Sequence, residues 1–325
     1  MYFKRKNDKD IRGIMRKRMK KTALSLTIVI AVLIILSLPS YVLSPQNDNK
    51  DKDNYTVVIP YRIDGRKENG SHIKLRGTYL FKLINHRGYA VEAPENTLPA
   101  FTLSKEKGYS YVETDVQFTK DGVAVCLHDK LINRTARCED GGMLTDNIQI
   151  SDITYAQALT YDFGVWKSEK YKNTKIPTFE QFIKLCRDLG LFPYIELKVN
   201  DLYTDEQLKS IANIISKYQM SNKVTFICFN YIYLEKMHSL CASSRIGFLY
   251  NKKTPLMIER ILKMKTPENE VFVDARYNCA DEIVDTCKNN NLPLEVWLVD
   301  DEKTLDSADS YISGATTNRL RYSLG

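Results

Sequence analysis

Beyond its first 21 residues this 325-residue chain has no surplus of positive charge. Ten Lys and Arg, from Lys4 to Lys21, stand there against Asp8 and Asp10, giving +8 and leaving −1 of the formal +7 for everything downstream. A body without a basic excess has nothing to hold a polyanion, so nucleic acid is not an expected partner. The chain also lacks any CxxC pair, and its seven cysteines keep no zinc-type spacing with its four histidines, which argues against a structural zinc site. Most of the cysteines fall in apolar patterns and read as buried thiols. No internal repeat is visible at a period of about 20 to 50 residues, which excludes solenoids and propellers.

The basic block at 1–21 is followed by a run without charge. Ala23 to Leu38 is uncharged for sixteen residues, and the apolar character continues to Leu43. A soluble helix rarely lacks a polar face for so long, and this length suits a bilayer span. No Ala-x-Ala site follows, so an uncleaved transmembrane anchor over 22–43 is expected rather than a removed signal peptide. The Lys/Arg block would then stay cytoplasmic and the remainder would be exported, giving a single-pass cell-membrane protein. Residues 44–80 begin with the polar stretch SPQNDNKDKDN, which reads as a juxtamembrane linker, and contain two candidate short strands, Val57–Tyr61 and His72–Leu75.

From residue 81 to 325 short apolar runs alternate with helical patterns. Phe81–Asn85, a helix over Thr97–Lys107 and Tyr111–Phe118 form an opening strand-helix-strand unit. Asn96 or Thr97 would cap that helix, with Pro99 in its first turn and Gly108 as its breaker. Later strands are expected at Tyr194–Leu197, Val224–Cys228, Ile246–Leu249, Val271–Asp274, Leu294–Leu298 and Gly314–Thr317, and the helix Phe179–Leu189 aligns Phe179, Phe182, Ile183, Cys186 and Leu189 on one face. With Val123–Leu127 the candidates number one too many for an eightfold barrel. Only four residues separate Phe118 from Val123, too few for a parallel return, so this pair must be an antiparallel hairpin. The expected fold is an α/β (β/α)8 TIM barrel, with the hairpin and an excursion over about 129–175 above its C-terminal face.

Four local patterns end strands at that face: His86-Arg87-Gly88, Glu113-Thr114-Asp115, His128-Asp129 and Glu196-Leu197-Lys198. Glu113 and Asp115 lie two apart, so both side chains point to the same side of their strand. Two carboxylates facing a barrel interior call for a cation, and Glu196 supplies a third oxygen ligand. Three carboxylates without Cys suit Mg²⁺ or Ca²⁺ better than zinc. Such a metal, with Arg87 and Lys198, would hold the oxygens of a phosphodiester, while His86 and His128 would serve as an acid/base pair. The sequence leaves open which histidine is which, and His72 and His238 read as structural.

The run NHRGYAVEAPENTLPAFTLSKEKGYSYVETDVQFTKDGVAVCLHD over 85–129 resembles the signature of the glycerophosphodiester phosphodiesterase family. The resemblance continues through Arg134-Thr135, Ile176-Pro177-Thr178, Ile195-Glu196-Leu197-Lys198, Phe229 and Trp297, covering about 82–320. It implies a (β/α)8 barrel that hydrolyses glycerophosphodiesters to glycerol 3-phosphate and an alcohol with a divalent metal. By position, His86 and His128 match the catalytic pair, Glu113, Asp115 and Glu196 the metal ligands, and Arg87 and Lys198 the phosphate contacts. Trp297 would pack against the glycerol, or serve as a core side chain of its strand. Two departures stand out: Thr317-Asn318-Arg319 where relatives usually carry Thr-Asp, and Cys228-Phe229 where they carry Ser-Phe.

The expected function is a membrane-anchored glycerophosphodiesterase. Two alternatives are a phosphodiesterase of phospholipase type acting on lysophospholipid or phosphoinositide, and an inactive barrel binding phosphorylated polymers. The intact set of two histidines and three carboxylates argues against the last, because a binder has no use for an acid/base pair.

Overall fold

The computed structural model describes residues 61–63, 81–198, 203–320 and 322–324. The expected anchor at 22–43, the candidate strand His72–Leu75 and His72 itself lie outside the described residues. Among the described residues no helix is long and apolar enough to cross a membrane.

Eleven strands are described: β1 (Tyr61–Ile63), β2 (Lys82–Asn85), β3 (Tyr111–Phe118), β4 (Ala124–Cys126), β5 (Phe192–Leu197), β6 (Thr225–Cys228), β7 (Arg245–Tyr250), β8 (Val271–Arg276), β9 (Leu294–Trp297), β10 (Ile312–Thr317) and β11 (Tyr322–Leu324). Eight of them, β2-β3-β5-β6-β7-β8-β9-β10, pair in parallel, and pairing of β10 back to β2 closes the ring. This is the eightfold barrel that the alternation of strands and helices predicts. As the short loop requires, β4 returns antiparallel on β3, with Val116 opposite Cys126 and Phe118 opposite Ala124. Of the candidate strand Val57–Tyr61 only Tyr61 lies among the described residues, as the first residue of β1, which pairs antiparallel with β11.

Local chemistry explains the elements that carry the site. Helix Leu98–Glu106 opens with the Thr97 hydroxyl accepting from Ala100 N, and Pro99 occupies its first turn, where a missing N–H costs nothing. Thr97 is therefore the cap, which leaves the Asn96 side chain for another use. Helix Phe179–Leu189 has a reciprocal Thr178/Gln181 capping box and buries Phe179, Phe182, Ile183 and Cys186. Each such side chain contributes about 1.5–3 kcal/mol of burial.

Most of the core lies between the strands and the surrounding helices. Inside the ring a smaller layer of Ile84, Tyr194, Ile227, Leu249 and Phe272 fills the barrel. At the N-terminal mouth Lys82 Nζ and Arg245 Nη2 each lie 3.0 Å from Glu295 Oε1, and Tyr194 donates its hydroxyl to Glu295 Oε2 at 2.9 Å. Ion pairs thus close the bottom, and the open end is the C-terminal one. The excursion over 129–175 carries three short 3₁₀ turns and helix Tyr155–Ala158, with a separate apolar cluster of Ile132, Ala136, Ile150, Ala158 and Phe163 against Val125 and Leu127 of the hairpin.

Candidate active site

A cavity of about 570 Å³ opens at the C-terminal ends of the strands. His86, Arg87, Glu113, His128, Glu196, Lys198 and Trp297 all line it, and Asp115 lies fully buried in the same wall. The eight positions singled out from the sequence therefore meet in one place, although 211 positions separate the first from the last.

The carboxylates come from neighbouring strands in register, with Asp115 of β3 opposite Glu196 of β5. One oxygen from each of Glu113, Asp115 and Glu196 lies within 4.8 Å of the others. Glu113 Oε2 accepts from Arg87 N at 2.9 Å, while its Oε1 is buried with no hydrogen-bond partner. Burial, with the charges of Asp115 and Glu196, pushes the Glu113 carboxyl well above the usual range. Against its own burial, Asp115 is held well below that range by Lys198 and Arg87. Lys198 Nζ reaches Asp115 Oδ1 at 3.1 Å and Glu196 Oε1 at 2.7 Å. Asn96, freed from capping and held at φ 55°, donates to Asp115 Oδ2 at 2.8 Å and accepts from Thr114 Oγ1 at 2.8 Å.

His86 follows β2. Its Nδ1 lies 2.9 Å from Asn318 Oδ1, and the Asn318 amide donates to Asp300 Oδ2 at 2.7 Å. Because that amide is committed to Asp300, the oxygen must face His86, and Nδ1 carries the proton. Burial and the adjoining Arg87 guanidinium push His86 down to about 4. His128 is bound differently: its Nδ1 lies 2.6 Å from Asp129 Oδ1, a charge-assisted distance. Against its burial, Asp129 is held below the usual carboxylate range by hydrogen bonds from Arg134 and His128. Arg134 also makes a bidentate pair with Glu95, at 2.8 Å on both arms, and Glu95 accepts from Arg87 Nη1 at 2.9 Å. Glu95 and Arg134 thus join the loop of one histidine to the loop of the other.

Gly88 follows Arg87 at φ +75°, where a Cβ would stand 2.8 Å from the backbone of Ala100. Only glycine lets this turn sit against the first turn of helix Leu98–Glu106. On the opposite wall, Trp297 meets Phe229 edge-on with centroids 5.9 Å apart and donates its indole N–H to the Asp274 carbonyl at 3.1 Å. The buried Cys228 Sγ lies 3.1 Å from Leu197 O and accepts from Asn230 N. All seven cysteines are free thiols.

Several contributors escaped the sequence reading. Gln117 Nε2 lies 2.7–2.9 Å from the carbonyls of Leu127, His128 and Asp129 and so fixes the loop bearing His128. It stands two residues beyond Asp115, and strand alternation extended by one step would have found it. Asp300 gave less signal, since its role depends on Thr317 and Asn318, 17 and 18 positions on.

A family model described as "Glycerophosphoryl diester phosphodiesterase family" matches residues 86–320. This chain belongs to that family. Among curated members of the glycerophosphoryl diester phosphodiesterase family, the chain is 28% identical over 224 residues to a glycerophosphodiester phosphodiesterase of Caldanaerobacter subterraneus, spanning 69% of this chain and 88% of the relative. Solved structures share the barrel. A putative glycerophosphoryl diester phosphodiesterase of Silicibacter pomeroyi superposes with TM-score 0.64 at 20% identity, covering 75% of this chain and 92% of the other. An Oleispira antarctica phosphodiesterase, solved with the product sn-glycerol-3-phosphate, superposes with TM-score 0.61 at 21% identity, covering 74% and 94%. Membership makes this chain a phosphodiesterase of that family, with an acidic triad suited to a divalent cation.

Proposed function

We propose that the chain is a membrane-tethered, divalent-metal-dependent enzyme that hydrolyses glycerophosphodiesters to glycerol 3-phosphate and an alcohol. The observation that carries this reading is the presence of His86 and His128 on the wall of one cavity with Glu113, Glu196, Arg87 and Lys198. Three clustered carboxylate oxygens, one of whose residues keeps a buried oxygen without a partner, fit a hard cation, Mg²⁺ or Ca²⁺. Glu113, Asp115 and Glu196 would hold it, and when bound it supplies positive charge opposite the phosphate oxygens.

The hydrogen bonds of the two imidazoles divide the proton work. His86, neutral and with its proton on Nδ1, leaves Nε2 as a lone pair and takes the proton of the attacking oxygen, from water or from a hydroxyl of the substrate, the latter giving a cyclic phosphate that water then opens in a second displacement. His128 has a carboxylate behind it at Asp129, which stabilises the imidazolium, and it gives its proton to the departing alkoxide. One P–O bond forms as the other breaks, and the proton removed at one face is matched by the proton delivered at the other. Arg87 and Lys198 bind the phosphate oxygens, and Trp297 packs on the glycerol.

The tether is read from the basic block at 1–21 and the uncharged run that follows it, with the barrel on the extracytoplasmic side. The full chain should release glycerol 3-phosphate from a panel of glycerophosphodiesters, lose this with chelator and regain it with Mg²⁺ or Ca²⁺. No release, or release indifferent to chelator, refutes the reading. A cysteine engineered at Asn47 should react with an impermeant reagent on intact cells, and reaction only after lysis would reverse the topology.

A further inference from the structure

Asp274 sits near the end of β8, two residues beyond the inward-facing Phe272, and it lines the cavity while only 1% exposed. Its Oδ1 is buried with no hydrogen-bond partner, and no ion pair reaches its carboxyl among the described residues. The other buried acids are differently placed, Asp162 accepting from the backbone N–H groups of Gly164, Val165 and Asn173. Glu295 is taken up by Lys82, Tyr194 and Arg245, Asp115 by Asn96 and Lys198, and the unpartnered oxygen of Glu113 belongs to the acidic triad.

The surroundings describe what would complete Asp274. Ile227, Leu249, Phe229 and Trp297 form an apolar and aromatic wall beside it. The Trp297 indole N–H is spent on the Asp274 backbone carbonyl and so does not satisfy the carboxyl. A ligand group that fits must therefore present C–H to the rings and an O–H to the acid, which is the chemistry of a polyol. An ammonium head would need Asp274 ionised, whereas burial and the neighbouring Glu295 push this carboxyl well above its ordinary range.

We propose that Asp274 determines specificity for the polyol part of the substrate, hydrogen-bonding a hydroxyl of the glycerol moiety while Trp297 and Phe229 cover its carbons. This rests on the phosphodiesterase reading of the same cavity, and it adds a residue outside the motifs that carry that reading. A site built to pair a hydroxyl discriminates against an analogue lacking it, because the buried group is then left unpaired.

The test compares binding of glycerol 3-phosphate and propyl phosphate to the full chain by calorimetry, in wild type, Asp274→Leu and Asp274→Asn. Wild type should favour glycerol 3-phosphate by about tenfold or more, Asp274→Leu should bring the ratio close to one, and Asp274→Asn should keep most of the preference. Propyl phosphate affinity, which the carboxyl does not touch, should stay within about twofold across all three and shows that the pocket is intact. A wild-type ratio near one, or a ratio unchanged in Asp274→Leu, overturns the proposal. Preference without any turnover of glycerophosphodiesters by wild type would sink the enzymatic reading and leave the recognition by Asp274 standing.

Discussion

Replacing Asn318 should separate the position of His86 from its charge. In the wild type the Asn318 oxygen, 2.9 Å from Nδ1, accepts a neutral hydrogen bond, and Asp300 holds the amide in place. Asn318→Leu removes the acceptor. The loss is a hydrogen bond worth about 0.5–1.5 kcal/mol net together with the fixed tautomer, and kcat should fall by about 10- to 100-fold. Asn318→Asp keeps an acceptor and adds a negative charge at contact distance, which raises the pKa of a neighbouring base by about 1–3 units. His86 acts as a base only when neutral, so kcat/KM rises as pH climbs through its pKa, about 4 in the wild type. In Asn318→Asp that acidic limb should move up to roughly pH 5–7. The assay is glycerol 3-phosphate release between pH 3 and pH 9 at saturating cation. An acidic limb that stays in place in Asn318→Asp, or undiminished kcat in Asn318→Leu, would refute the assignment of His86 as the neutral base oriented by Asn318.

Three other outcomes follow from the same geometry. His86→Ala and His128→Ala should each lower kcat by about 10²–10⁴-fold while the protein still folds cooperatively, since neither side chain belongs to the apolar core. Glu113→Gln removes a buried carboxyl that resists ionisation, so the metal-free protein should melt about 2–4 °C higher, while the stabilisation by added Mg²⁺ or Ca²⁺ shrinks in differential scanning fluorimetry. Gly88→Ala places a Cβ 2.8 Å from Ala100 at a left-handed φ and should destabilise the barrel by roughly 2–4 kcal/mol in chemical denaturation.

The barrel was legible because its signals are local. Strand runs separated by helix-length segments specify parallel neighbours, and the four-residue loop before Val123 permits nothing but a hairpin. The motif residues were legible because each ends a strand and the barrel brings strand ends together. What the sequence did not disclose are the groups that orient these residues. Asn96 stands beside Thr97, and the two are equivalent cap candidates in one dimension; only the approach of Asp115, 19 positions on, assigns each its role. Asn318 looked like a departure from the family pattern, yet its amide links Asp300 to His86 across 232 positions. In the sequence Asp274 reads as the last residue of an ordinary strand, because an acid's lack of a partner is a property of three dimensions alone.

The 129–175 excursion buries its own small apolar cluster and is bridged internally between Leu131 and Gln149 and between Arg137 and Asp162. Beyond Asp129 and Arg134, which tie it to His128 and Glu95, the segment seated on the hairpin carries its own packing. Evolution, or an engineer, is then free to exchange the remainder of this canopy for another and redirect the enzyme toward bulkier or more compact diesters, provided Asp129 and Arg134 stay behind His128.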